Sequence, residues 1–309
     1  MISLRNENIN LLYNKKEDIT RKNAFSIGSN EPGHKFSIVS DSFFSAVFIH
    51  EGRIKNSAKL LSYIIDVSYE DLLKNLHFSK QVLDKAKKKS KTERCDLVAN
   101  LNDTILNVEL NNNASIETLE RNMDYAFRLF SIKNAESKKY IFRQIIQVNL
   151  NNFSFVGHDE TIESFYIQSD KHVVYSKKII FVNISLPNIY KKWYNNGVNA
   201  LNELEKLLLI LAETNISNSK DIGKGDKFME KLIDETIDYS LDPDLLDSID
   251  LETYMKDIGR NEGIEQGIAQ KTKDAAINLY NNGASKDLIM KSLNISEEEL
   301  DEYLKDNNS

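Results

Sequence analysis

The chain carries a single cysteine, Cys95, so no intrachain disulfide can form. One thiol and five histidines cannot assemble a zinc-finger cage either. A reducing cytoplasm is the compartment this implies. Three prolines and eleven glycines leave few interruptions, which favours long regular elements. No apolar run approaches the ~20 residues that a bilayer span needs. The opening MISLRNENIN lacks the apolar stretch of a secretory leader, so neither a membrane span nor secretion is expected. Positive charge is also short: Lys and Arg total 40 against 47 Asp and Glu, for a net charge of −7. That excludes nucleic-acid binding driven by overall charge and leaves room only for a local basic patch.

What remains is a globular composition, 41% hydrophobic and 28% charged, over 309 residues. This is enough for one sizeable α/β core and a smaller appended unit. Residues 1–36 are polar with scattered apolar positions and read as an N-terminal arm, with Pro32-Gly33 as a turn. Phe44, Val47 and Phe48, then Leu60, Leu61, Ile64 and Ile65, fall at helical spacing and predict two core-facing helices. Residues 80–94 hold a dense lysine run, after which the period changes. Cys95–Ala99 and Ile105–Leu110 flank a turn-forming Asn100–Asp103 and predict a β-hairpin. Residues 115–134 return to helical spacing, with Leu119, Met123, Phe127 and Phe130 along one face, and 145–150 and 178–186 are strand-like. That order of elements belongs to an α/β sandwich with a core over 37–215. The stretch 153–177 shows no clear period.

A helical pattern runs from Tyr190 to Thr214, and residues 215–226, rich in Asn, Ser, Asp and Gly, read as a linker. A further helix is expected over 227–239, within a helical C-terminal region over 227–309. In that region Gly259, Gly263 and Gly267 recur every four residues, either as a contact face for a second copy of the chain or as an exposed flexible helix. A short helical pair closes the chain, with Ser296 and Glu299 as a capping box, and reads as half a helix-turn-helix or as a small protein-interaction bundle.

The chemistry-bearing constellation is Asp96 on the first hairpin strand and Glu109 on the second. Cross-strand partners lie about 5 Å apart, and two carboxylates presented together share a hard divalent cation such as Mg²⁺ or Mn²⁺. The alternative is a pair of surface carboxylates. Glu109 follows Ile105, Leu106 and Val108 in a strand that should be central, and Asn111 points to the same face as Glu109. Asp-turn-Glu-X-Asn after a helix is the layout of PD-(D/E)XK nucleases, with Asn111 where a lysine commonly stands.

Several blocks in order resemble the Rpn family of recombination-promoting nucleases, also described as PD-(D/E)XK family transposases. They are Asp41–Phe48, Arg94–Ala99, Asn107–Asn111, the Arg121/Tyr125 pair, Gln147–Asn151 and Val182–Leu186. The resemblance implies a restriction-endonuclease-like mixed sheet flanked by helices, with a helical C-terminal tail, acting as a metal-dependent DNA endonuclease. It assigns Asp96, Glu109 and the carbonyl of Leu110 to the metal and puts Asn111 in the lysine position. Asp41 either reaches the site or caps its helix. Ser45 stands where the family commonly has lysine, a second departure. Arg121 and Tyr125, at i and i+4, either address a DNA phosphate or leave Arg121 to pair with Glu117. Lys87, Lys88, Lys89 and Arg94, just before Asp96, are the expected grip on the DNA backbone. Two rivals stand beside this reading: a catalytically lapsed DNA- or protein-binding member, and a regulatory protein whose tail binds a partner.

Overall fold

The computed structural model describes residues 24–50, 52–79, 82–83, 93–135, 143–169 and 171–306. The chain divides into two compact units, Met1–Ile249 and Asp250–Ser309.

The first unit is built on a six-stranded mixed sheet. Its strands are β1 (Leu76–Phe78), β4 (Leu97–Leu101), β5 (Thr104–Asn111), β6 (Gln144–Asn151), β8 (Val174–Ser185) and β7 (Ile162–Gln168), in that spatial order. A two-residue pair, β2 (Val82–Leu83) with β3 (Glu93–Arg94), stands apart. The hairpin β4–β5 is antiparallel, turning at Asn102 with φ 50°, a conformation that asparagine tolerates. β5, β6 and β8 run parallel, with Ile105, Ile145 and Ile179 at one level and Glu109, Asn149 and Asn183 at another. Parallel strands need cover on both faces. On one face lie α1 (Asp41–Phe48), α2 (Ile54–Ile64), α6 (Glu203–Ala212) and α8 (Lys227–Tyr239), whose apolar sides join Leu106, Val108, Ile146, Val148, Leu150 and Ile184 in the main core. On the other face lies α4 (Ile116–Ala135), packed over β5 and β6.

The helices and strands expected from spacing are present, with additions. α3 (Tyr69–Asn75), β1 and β7 were not marked by any clear period. The single pattern over Tyr190–Thr214 divides into α5 (Leu186–Asn196) and α6, because Gly197 takes φ 77° and Asn202 with Glu205 forms a capping box that starts a new helix. The polar stretch 215–226 forms α7 (Ile216–Gly223): Asn215 caps it, Asp226 caps α8, and Ser219 donates back to the Asn215 carbonyl at 3.1 Å. Its polar residues serve helix ends, so the first unit continues through this stretch. Of the expected arm, residues 24–36 are described, with Phe25 and Phe36 buried in the main core and backbone bridges from Gly28 to Phe36 and from His34 to Asn215.

A long helix, α9 (Pro243–Asn281), contains the glycine series, and a Cβ built at Gly259 or Gly267 meets nothing within 4 Å. In the second unit α10 (Lys286–Leu293) ends at Asn294 in the left-handed region. α11 (Glu297–Asp306) starts with the expected box, the Ser296 amide donating to Glu299 and the Glu299 amide to Ser296 Oγ. Ala276, Ile289 and Leu300 form this unit's own core. Among the described residues no helix is long and apolar enough to cross a membrane.

Candidate active site

Side chains on β5 alternate between the two faces. Leu106, Val108 and Leu110 enter the main core, and Ile105, Asn107, Glu109 and Asn111 turn toward α4. Asp96 precedes β4, one step beyond the Leu97–Val108 pair, and so stands opposite Glu109. The two are clamped reciprocally: the Asp96 amide donates to Glu109 Oε1 at 3.3 Å, and the Leu110 amide donates to Asp96 Oδ2 at 2.7 Å. Glu109 is 2% exposed. Burial raises the proton affinity of both carboxyls; Asp41 adds to it at Asp96, and Asp96 itself adds to it at Glu109. Arg121 opposes the rise at both, Arg94 at Asp96, and the Asn107 side chain at Glu109.

Two carboxylates held this close in a low-dielectric site repel unless a cation joins them, and the donors are all oxygen, as Mg²⁺ and Mn²⁺ prefer. Among the described residues no cluster of three or more His, Cys, Asp or Glu is arranged to hold a metal ion. A pair fits the way Mg²⁺ is commonly held, by one or two carboxylates with water and substrate phosphate completing the shell.

The sequence-predicted residues divide into groups. Asp41 opens α1; the cap there is Ser40, whose hydroxyl accepts from the Phe43 amide at 3.1 Å, so Asp41 is not needed for capping and its charge acts on Asp96. Arg94 is exposed and, with Asp41, Ser45 and Asp96, lines a cleft of about 650 Å³. Arg121 is exposed on α4, its guanidinium 5.7 Å from the Tyr125 ring centroid; Tyr125 itself is buried with Val98, Ile105 and Ile145. Asn111 is 1% exposed, its Nδ2 donating to Asn151 at 2.9 Å and its Oδ1 accepting from Asn122 at 3.0 Å. Lys87, Lys88 and Lys89 lie outside the described residues. Cys95, buried beside Glu109, has its thiol pushed up by burial and by that carboxylate, which makes it a packing residue.

A layer of amides went unread in the sequence. Asn107 Nδ2 donates to Glu109 Oε1 at 3.0 Å and to Gln147 Oε1 at 2.8 Å. Gln147 donates to Asn149 at 2.9 Å, Asn149 to Asn183 at 2.7 Å, and Asn122 from α4 to Asn149 at 3.2 Å. The signal was an alternation repeated on three strands: NVELN, QVNLN and VNIS, at 107–111, 147–151 and 182–185.

A mixed sheet whose hairpin sets a buried Glu109 opposite a half-buried Asp96 at the edge of a cleft defines a restriction-endonuclease-like protein. The model of the PD-(D/E)XK nuclease family transposases matches residues 39–253, and the chain belongs to that family. Comparison with curated proteins and with solved structures found no match.

Proposed function

We propose that the protein is a divalent-metal-dependent deoxyribonuclease that hydrolyses phosphodiester bonds in DNA during recombination or movement of mobile DNA. The observation that carries this is the clamped pair Asp96 and Glu109, of which Asp96 lines the cleft, in a member of a nuclease family. Asp96, Glu109 and the Leu110 carbonyl would hold the ion. When bound, Mg²⁺ or Mn²⁺ supplies a Lewis acid that activates water and offsets charge on the phosphodiester. The chain's own residues do the rest. The Leu110 amide and Asn107 fix the two carboxylates in one orientation. Arg121 and Arg94 place positive charge beside them for the phosphate, with Tyr125 supporting Arg121 from below. The lysine run over 85–91 adds backbone grip, and the glycine-bearing C-terminal helix is a contact for a second copy.

A second reading has its own observation. Both ends of the Asn111 amide are occupied by Asn151 and Asn122, so the lysine position here carries a structural amide, as a lapsed DNA-binding member would. Plasmid nicking separates the two. With Mg²⁺ or Mn²⁺ the wild type should cut, EDTA should stop it, and Asp96→Ala and Glu109→Ala should each reduce it to background while the melting transition survives. DNA binding without any metal-dependent cutting would establish the lapsed reading instead.

A further inference from the structure

The cleft next to Asp96 is larger than the carboxylate pair requires. At about 650 Å³ it falls in the range of sites that hold small molecules, and it is far too small for a duplex. One side is made by α1 and by Arg94 and Asp96; the other by Tyr239 and by Asp242, Asp244, Leu245 and Ser248 at the start of α9. Ser42 Oγ donates to the Ser248 carbonyl at 3.4 Å across it, so both walls belong to the first compact unit.

The lining is sorted by chemistry. Ala46, Ile49 and Leu245 offer apolar surface. The Arg53 guanidinium lies 3.5 Å over the Tyr239 ring and also donates to the Ala46 carbonyl, a preset flat cation of the kind on which nucleobases stack. Asp242 and Asp244 would repel a phosphate but accept from ring N–H and exocyclic amino groups of a base. Positive charge from Arg94 stands on the Asp96 side. Asp41 and Asp96 stand on that side as well, so each side carries one arginine and two aspartates; the flat Arg53 face places the base on its own side, and the exposed Arg94 is left to the backbone on the other.

We infer that this cleft receives one unpaired nucleotide of the strand being cut, so that the substrate is DNA with a frayed, flapped or single-stranded segment. The inference rests on the nuclease reading above and names its substrate class. A base inside continuous duplex pays an unstacking cost of a few kcal/mol before entering, and an unpaired base does not.

The test measures anisotropy of the full-length protein in EDTA with labelled DNA of one sequence, as continuous duplex and as duplex with a single-stranded flap. Wild type should bind the flapped form at least about tenfold more tightly, since 1.4 kcal/mol of avoided unstacking is tenfold. Ser248→Trp, which fills the cleft from an exposed helical position, should bring the two affinities level by weakening only the flapped form. Asp244→Phe is a second blocking variant, and thermal melts establish that both fold. Equal wild-type affinities, no binding of either DNA, or a preference untouched by both folded variants would overturn the inference. Cutting is scored in parallel samples with Mg²⁺. A preference without cutting removes the nuclease reading and leaves the cleft; cutting of both forms without a preference removes the cleft alone.

Discussion

On the two faces of the central sheet the same three strands follow opposite rules. Toward the helices α1, α2, α6 and α8, the strands β5, β6 and β8 present Leu106, Val108, Leu110, Ile146, Val148, Leu150, Val182 and Ile184, and these aliphatic side chains pack in an apolar core that also holds Phe43, Phe44 and Phe48 of α1. Toward α4, beyond the apolar patch of Ile105, Ile145, Ile179 and Phe181, they present Asn107, Glu109, Asn111, Gln147, Asn149, Asn151 and Asn183, and every one of these seven is buried. The apolar face contributes stability that depends on volume. The polar face depends on direction, because each amide must find a donor or acceptor or carry a desolvation cost. Three of its atoms, Asn107 Oδ1, Asn122 Oδ1 and Asn151 Nδ2, find no hydrogen-bond partner among the described residues. Such a layer adds less stability than leucine would, and it sits where Glu109 has to be held. Stability and function are thus assigned to opposite sides of one sheet.

The largest effect should come from the apolar face. Leu150→Ala should cost about 3–5 kcal/mol in urea unfolding, by lost transfer energy and by the cavity left in a closely packed site. Nicking per folded molecule should stay near wild type, because Leu150 faces away from Asp96 and Glu109. A specific loss of activity at full stability would break the division between the faces.

Lys35 is the exception within the apolar side. Its backbone amide is bonded to Thr214 after α6, its side chain is fully buried, and Nζ has no hydrogen-bond partner among the described residues. Burial brings its amine down to about 7 against the pull of Glu213. Since the unfolded chain keeps the ordinary lysine value, it binds the extra proton between about pH 7 and 10.5. Stability therefore rises with pH across that window, and below pH 7 the cost is fully present. Lys35→Met should gain about 2–4 kcal/mol at pH 6 and progressively less toward pH 10. Urea melts at both ends of the range measure this, and an effect independent of pH would show that the Lys35 amine keeps its ordinary proton affinity in the folded protein.

The fold was legible wherever one period ruled an element. The β4–β5 hairpin followed from a change of period and a turn, and it placed Asp96 opposite Glu109 as expected. The sequence was less informative where polar residues are internal. Asn215, Ser219 and Asp226 look like linker residues because composition does not distinguish a cap from a loop. β7 is an edge strand with exposed or half-buried residues and none buried, so neither face imposes an alternation. Asn107 and Asn149 alternate with aliphatic residues as solvent-facing positions do, and only the cover of α4 makes them interior. The cleft draws on Arg53, Tyr239 and Asp244, residues far apart in sequence with no spacing that joins them.

The smallest effect concerns α4, which covers the polar face. Helical spacing puts Leu119, Met123, Phe127 and Phe130 on one stripe, the natural choice for burial. The structure turns the helix otherwise: Met123 and Phe127 are 44% and 46% exposed, while Asn122, Tyr125, Ala126 and Leu129 are buried against the sheet. Asn122 is the reason, since its amide donates to both Asn111 and Asn149, and losing that contact would leave two buried carbonyl oxygens with one fewer donor. Met123→Gln and Phe127→Gln should therefore each change stability by no more than about 0.5 kcal/mol, as exposed substitutions do. Asn122→Leu, more apolar and of better helix propensity, should cost about 1–2 kcal/mol by leaving those groups short of hydrogen bonds. Thermal melts of the three variants rank them. If Asn122→Leu is neutral while the glutamine variants are costly, α4 rests on its hydrophobic stripe, and the polar face is a surface that the helix does not need.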